Sequence, residues 1–207
     1  MIQIVKKRKR KQYVKFLKKT HNQIFSRFKY LNSRLKRRTI ILKLKKADLI
    51  LAKPGLFSLS PVALLYRTIL HSEYVHSMLY IGNGKIIHTT TKDGVIVNKL
   101  PGKIYKRNRY SIYRAKNLNT VQRNKIVRES MKFKEMKLDL MGLIVNVPKN
   151  LLGIKKSLLK IERNRLWCSK LVYRAYAAAG LQLVTEAESA IITSERLSKS
   201  TFLTRVQ

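Results

Sequence analysis

The sequence predicts an α+β fold, a central antiparallel sheet with a helix packed against it, preceded by a basic helical arm. Three observations carry that expectation. Residues 1 to about 46 place apolar side chains at steps of three and four, the period of a helix. From Ala47 the texture changes to short β-rich runs punctuated by Asn-Gly and Asp-Gly pairs, the strongest local signal for hairpins. The last third returns to helix-forming composition. A length of 207 residues suits one domain with an appended arm, so the arm is assigned to 1–46 and the domain to 47–207.

In the arm, Val14, Leu17, His21, Ile24, Phe28, Leu31 and Leu35 fall on one helical stripe, with Lys15, Lys18, Lys19, Arg27, Lys29 and Arg34 around the rest. The run Ala47-Asp48-Leu49-Ile50-Leu51-Ala52 reads as a strand stopped by Lys53-Pro54-Gly55. Ser60 is a fitting N-cap, and Pro61 a fitting first residue, for a helix over 61–70. Residues 74–81 and 85–90 flank Gly82-Asn83-Gly84 as a hairpin, and Lys92-Asp93-Gly94 turns the chain into a strand over 95–100. A further strand over 110–114 completes an antiparallel meander. Thr120 is expected to cap a helix running to about residue 134. Residues 137–165 are ambiguous, because Pro148 interrupts an apolar stretch. Residues 168–179 read as a helix closed by Gly180, and part of the tail after Ser189 is expected to pack.

Charge is the dominant bulk property. Forty-six Lys and Arg against ten Asp and Glu leave a formal +36. Such a chain repels itself and accumulates on anions: nucleic acid, an acidic polymer or an anionic membrane. The arm alone holds 18 Lys and Arg and no acid, the first carboxylate being Asp48. Its stripe suits the protein's own core or a partner helix, an anionic membrane, or a nucleic-acid-binding arm. No run approaches the roughly 18 apolar residues of a membrane span, and no apolar h-region follows the early basic cluster. The expectation is a chain without signal peptide or transmembrane segment, cytoplasmic or associated with a virion-type particle. One cysteine excludes an intramolecular disulfide and a four-thiolate zinc site.

That cysteine is also the best candidate for chemistry. Cys168 sits at the start of a helix, where unpaired backbone N–H groups and the macrodipole favour a thiolate and can hold an oxyanion. Lys170 and Arg165 are expected to push the same way. A nucleophile needs a base, and the base needs an orienting partner. His76 and His88 lie in the two strands of one hairpin, at similar distances from its turn, so they are expected to be neighbours across the ladder or one pair offset. If their parities match, both imidazoles lie on one sheet face. His76 then serves as base and acid, and His88 orients it. The ordinary alternatives stand beside this: a lone buried Cys is usually an inert small hydrophobe, and a strand His a hydrogen-bonded structural residue. A metal set from His71, His76 and His88 lacks a completing carboxylate, and His21 belongs to the arm. No cofactor and no metal are expected.

The order of motifs adds to this reading. Ala47-Asp48-Leu49-Ile50, then Ser72-Glu73-Tyr74-Val75-His76-Ser77-Met78-Leu79-Tyr80-Ile81-Gly82-Asn83-Gly84, then Ile86-Ile87-His88, then Trp167-Cys168-Ser169-Lys170-Leu171-Val172 resembles the circularly permuted NlpC-type branch of papain-like enzymes. That branch includes YiiX-like proteins and relatives of lecithin retinol acyltransferase. The likeness spans about residues 46–182. It departs from the pattern at Ala47, where Gly is usual, and at Ser77, where a small or apolar residue commonly follows the His. The resemblance implies a papain-like domain with Cys168 as nucleophile, His76 as base and His88 as its partner. It implies a thiol peptidase, amidase or acyltransferase acting on an amide or ester, in a cell-wall peptide or a lipid acyl group. The rival expectation is a highly basic structural or nucleic-acid-associated protein of virion type that keeps the fold as a scaffold. Oligomeric state is not legible.

Overall fold

The computed structural model describes residues 2–54, 72–106, 108–139, 165–185 and 192–207. The helix expected over 61–70, His71 and most of the ambiguous 137–165 stretch lie outside them. The chain forms two compact units, Met1–Leu42 and Lys43–Gln207.

The first unit is a single helix, α1 (Ile2–Lys43). Ile24, Phe28, Leu31 and Leu35 on its apolar stripe are 53–70% exposed.

The second unit is built on a six-stranded antiparallel sheet. Its strands are β1 (Leu49–Ala52), β2 (His76–Gly82), β3 (Lys85–Thr90), β4 (Gly94–Lys99), β5 (Tyr110–Ala115) and β8 (Leu203–Arg205), in the order β4-β3-β2-β1-β5-β8. A short parallel pair joins β6 (Lys137–Leu138) to β7 (Arg165–Leu166). Among the described residues three helices accompany it: α2 (Thr120–Met131), α3 (Cys168–Ala178) and α4 (Ser194–Ser198).

The sheet corrects the expected meander. β2, β3 and β4 follow one another, but β5 crosses to the far side of β1. The cause is β1 itself: Leu49, Ile50 and Leu51 are wholly buried, so this strand lies centrally and must pair at both edges. Leu49 faces Leu79 on one side and Tyr113 on the other. The strand also starts later than Ala47, which adopts the left-handed conformation (φ 66°). Such a backbone costs an alanine about 1 kcal/mol. Hydrogen bonds hold it there: the Ala47 N–H donates to the Tyr80 carbonyl, and the Tyr176 hydroxyl donates to the Ala47 carbonyl.

The kink at Ala47 delivers Asp48 to a buried ion pair. Its carboxylate accepts from Arg114 Nε at 2.8 Å and Nη2 at 2.7 Å, and from the Lys45 N–H at 2.8 Å. Arg123 approaches to 3.7 Å. Arg114 and Arg123 also donate to the carbonyls of Lys43 and Lys46, which ties the segment before β1 to β5 and to the helix over Thr120–Met131.

Turn chemistry sets the strand registers. Asn83 (φ 52°) and Gly84 (φ 67°) occupy the left-handed positions of the β2–β3 turn, which Asn-Gly pairs adopt at little cost. At the β3–β4 turn a Cβ on Gly94 would stand 2.2 Å from the Met136 carbonyl oxygen, so glycine is required there. α2 is capped by Asn119 rather than Thr120: the Asn119 side chain accepts from the Gln122 N–H, and the Gln122 side chain accepts from the Asn119 N–H. α3 closes as expected at Gly180, with Leu181 N–H bonded to the Tyr176 carbonyl and Gly180 N–H to that of Ala177.

Both faces of the sheet are covered. Leu171, Val172, Ala175 and Tyr176 of α3 join Leu49, Leu51, Leu79, Ile87 and Tyr113 in one core. Each fully buried Leu or Val contributes about 2 kcal/mol. Ile50, Met78, Tyr80, Ile86 and Ile112 are buried on the opposite face. The expected packing of the tail is met by Ile192 and Leu203, whereas Phe202 is 57% exposed.

Candidate active site

Alternation along the hairpin decides where the imidazoles go. Tyr80 pairs with Ile86 across β2–β3, and His76 and His88 share parity with those two residues. Both rings therefore leave the same sheet face. His76 Nε2 lies 2.9 Å from His88 Nδ1, with the ring planes at 75°. A third member extends the chain: Asn98 Nδ2 is 3.2 Å from His88 Nε2. Asn98 sits on β4, where His88 pairs with Ile96, so the register places it two residues along on the same face. Counting outward from the Asp93-Gly94 turn is the signal that would have found it.

The direction of this chain follows from Asn98. A carboxamide nitrogen only donates, so Nδ2 gives a proton to His88 Nε2. Neutral His88 then donates from Nδ1 to His76 Nε2, and His76 keeps its own proton on Nδ1. Half a turn of the Asn98 amide reverses every bond: Oδ1 accepts from His88 Nε2–H, His88 Nδ1 accepts from His76 Nε2–H, and Nδ1 of His76 becomes a lone pair. The orientation of Asn98 thus selects whether His76 presents a proton or a base.

Cys168 comes from the other face. The β2–β3 register runs from Gly82–Lys85 to Leu79–Ile87 and stops there. Ser77 lies beyond that end, so its N–H is available to another partner. It points at the Cys168 sulfur, as do the N–H groups of Ser169 and Cys168 and the hydroxyl of Ser194. Ser194 Oγ is itself 2.8 Å from Ser77 Oγ, and both serines are wholly buried. The thiol therefore rests beside the residue that follows His76, where the β2–β3 pairing has stopped. Among the described residues no hydrogen bond joins it to either imidazole.

The start of α3 is shaped for this seat. Trp167, its N-cap, makes no side-chain capping bond, so the first N–H groups face the sulfur. Trp167 Nε1 and Ser169 Oγ both donate to the Ile192 carbonyl, at 2.8 and 2.7 Å, which anchors the helix start to the tail. The tail also supplies Ser194, a contact to the sulfur that no motif in the sequence announced.

Burial governs the protonation states. It pushes the His76 imidazole down to about 3, assisted by repulsion from His88, and lowers His88 as well. Both rings are neutral at physiological pH. Burial also pushes the Cys168 thiol up, against the opposing pull of the four donors. The expectation of a depressed thiol pKa at the helix start is therefore corrected: at 5% exposure, lost hydration outweighs the helix N-terminus. Lys170, expected to assist, places its Nζ over the Trp167 ring at 4.4 Å from the centroid.

The remaining histidines stand elsewhere. His21, on α1, stacks on Phe25 with ring centroids 6.3 Å apart. Among the described residues no group of three or more His, Cys, Asp or Glu gathers as a metal-holding set. None of their helices is long and apolar enough to cross a membrane. No protein-family model matches the chain, and a search of curated proteins returned no match.

Proposed function

We propose that the second unit is a papain-like thiol hydrolase or acyltransferase of the permuted NlpC type, acting on an amide or ester carbonyl through an acyl-enzyme on Cys168. The observation that carries this reading is the hydrogen-bonded His76–His88–Asn98 chain, on a strand whose next residue, Ser77, turns its N–H to a sulfur ringed by hydrogen-bond donors. Neutral His76 is the form a general base requires. With Asn98 turned to accept, Nδ1 of His76 takes the thiol proton as the sulfur attacks the carbonyl carbon. The N–H groups at the start of α3 receive the oxyanion. The imidazolium then returns the proton to the departing amine or alcohol, and water or a second acyl acceptor releases the acyl group. Because the thiol is neutral at rest, deprotonation accompanies attack rather than preceding it.

The candidate substrates are cell-wall peptides and lipid acyl groups, which share the carbonyl and differ in the acceptor. Treatment with a p-nitrophenyl ester tests the reading. One equivalent of p-nitrophenolate should be released in a burst, with the acyl mass on Cys168. A burst that persists in Cys168→Ala, or no adduct on the parent, refutes it.

A second reading is supported by the raised thiol pKa and by the +36 charge. In it the fold is a non-catalytic basic scaffold bound to nucleic acid. Binding then falls steeply with salt and is indifferent to Cys168→Ala.

A further inference from the structure

We infer that α1 is an interfacial helix whose apolar stripe docks on an anionic phospholipid bilayer. Ile24, Phe28, Leu31 and Leu35 fall within about a sixth of the helix circumference, and each is more than half exposed. Lys29 and Lys36 border the stripe on one side, Arg27 and Arg34 on the other, and all four are exposed. Long basic side chains on both flanks reach phosphate headgroups while their stems and the stripe enter the acyl boundary.

Charge chooses the occupant. α1 carries sixteen Lys and Arg and no Asp or Glu. A second copy laid along the stripe would set these cations against one another with no acid on the helix to offset them. A nucleic acid would satisfy the cations but leave a stripe of Ile, Phe and Leu in water. An anionic bilayer answers both features: each Lys or Arg near its surface gains about 1 kcal/mol, and the stripe leaves water. α1 lies along the interface rather than crossing it, since basic residues interrupt it throughout.

Sedimentation of the full chain with vesicles tests this. Vesicles containing phosphatidylserine should bind it at least about 100-fold more tightly than phosphatidylcholine alone. The quadruple variant Ile24→Gln, Phe28→Gln, Leu31→Gln, Leu35→Gln keeps every charge. It should lose about 100-fold on phosphatidylserine vesicles while binding duplex DNA as the parent does. Equal vesicle binding by parent and variant would overturn the docking, leaving charge alone. So would displacement of the parent from vesicles by equimolar duplex DNA. A Phe28→Trp chain gives an independent readout, with the buried Trp167 as baseline. Emission from position 28 should be quenched by brominated phosphatidylserine vesicles, and an unquenched signal contradicts the proposal.

Discussion

His76 carries the most consequential shift in the molecule, because an imidazole pushed down to about 3 by lost hydration ties stability to pH. The unfolded chain takes up this proton near the ordinary value of about 6.5, whereas the folded chain resists until far lower. The unfolded state therefore binds more protons across that window. Stability is fully present above about pH 6.5 and falls as the pH drops, by up to about 1.4 kcal/mol per unit for this group. Burial of His88 adds in the same direction. Urea denaturation at pH 7 and pH 5 should show that loss in the parent and a shallower one in His76→Gln. Asn98 makes a second prediction at this scale. A carboxylate only accepts, so Asn98→Asp holds the chain in the base-presenting tautomer, whereas Asn98→Leu releases it. Labelling of Cys168 at neutral pH should quicken by about tenfold in the first and slow in the second, one pKa unit's worth of effect. Asn98 is exposed, so neither change should unfold the protein.

Elements decide whether those residues meet. That His76 and His88 are neighbours was legible because both sit on strands of one Asn-Gly hairpin, whereas the shared parity that sends both rings to one face comes from the register. Asn98 was equally within reach by register. The seat of Cys168 was not: it depends on where β2–β3 pairing stops and on Ser194, delivered by a tail readable only as partly buried. The meander failed for a similar reason, since a continuous apolar run such as Leu49-Ile50-Leu51 marks a central strand without naming its neighbours. Two substitutions probe the framework. Asp48→Asn removes the charge that Arg114 and Arg123 share and should cost about 3 kcal/mol, read as a lowered denaturation midpoint. Gly94→Ala drives a methyl into the Met136 carbonyl and disfavours the local backbone. It should cost at least about 2 kcal/mol and loosen β4, slowing Cys168 labelling through Asn98.

At the scale of the whole molecule two characters coexist. One unit carries the neutral, half-buried His76 and His88 on β2 and β3 and the buried Cys168 at the start of α3. The other is a uniformly cationic helix with an apolar stripe. A +36 total attracts anions of every kind whatever the site does, so charge alone does not separate the catalytic reading from the scaffold. The deciding measurement is the rate of Cys168 alkylation by iodoacetamide across pH, in the parent and in His76→Ala. Imidazole assistance predicts that the parent reacts about 100-fold faster than the variant near neutrality. It also predicts that the two rates converge once hydroxide ionises the thiol directly. Slow labelling at one common rate across the whole range would contradict the account.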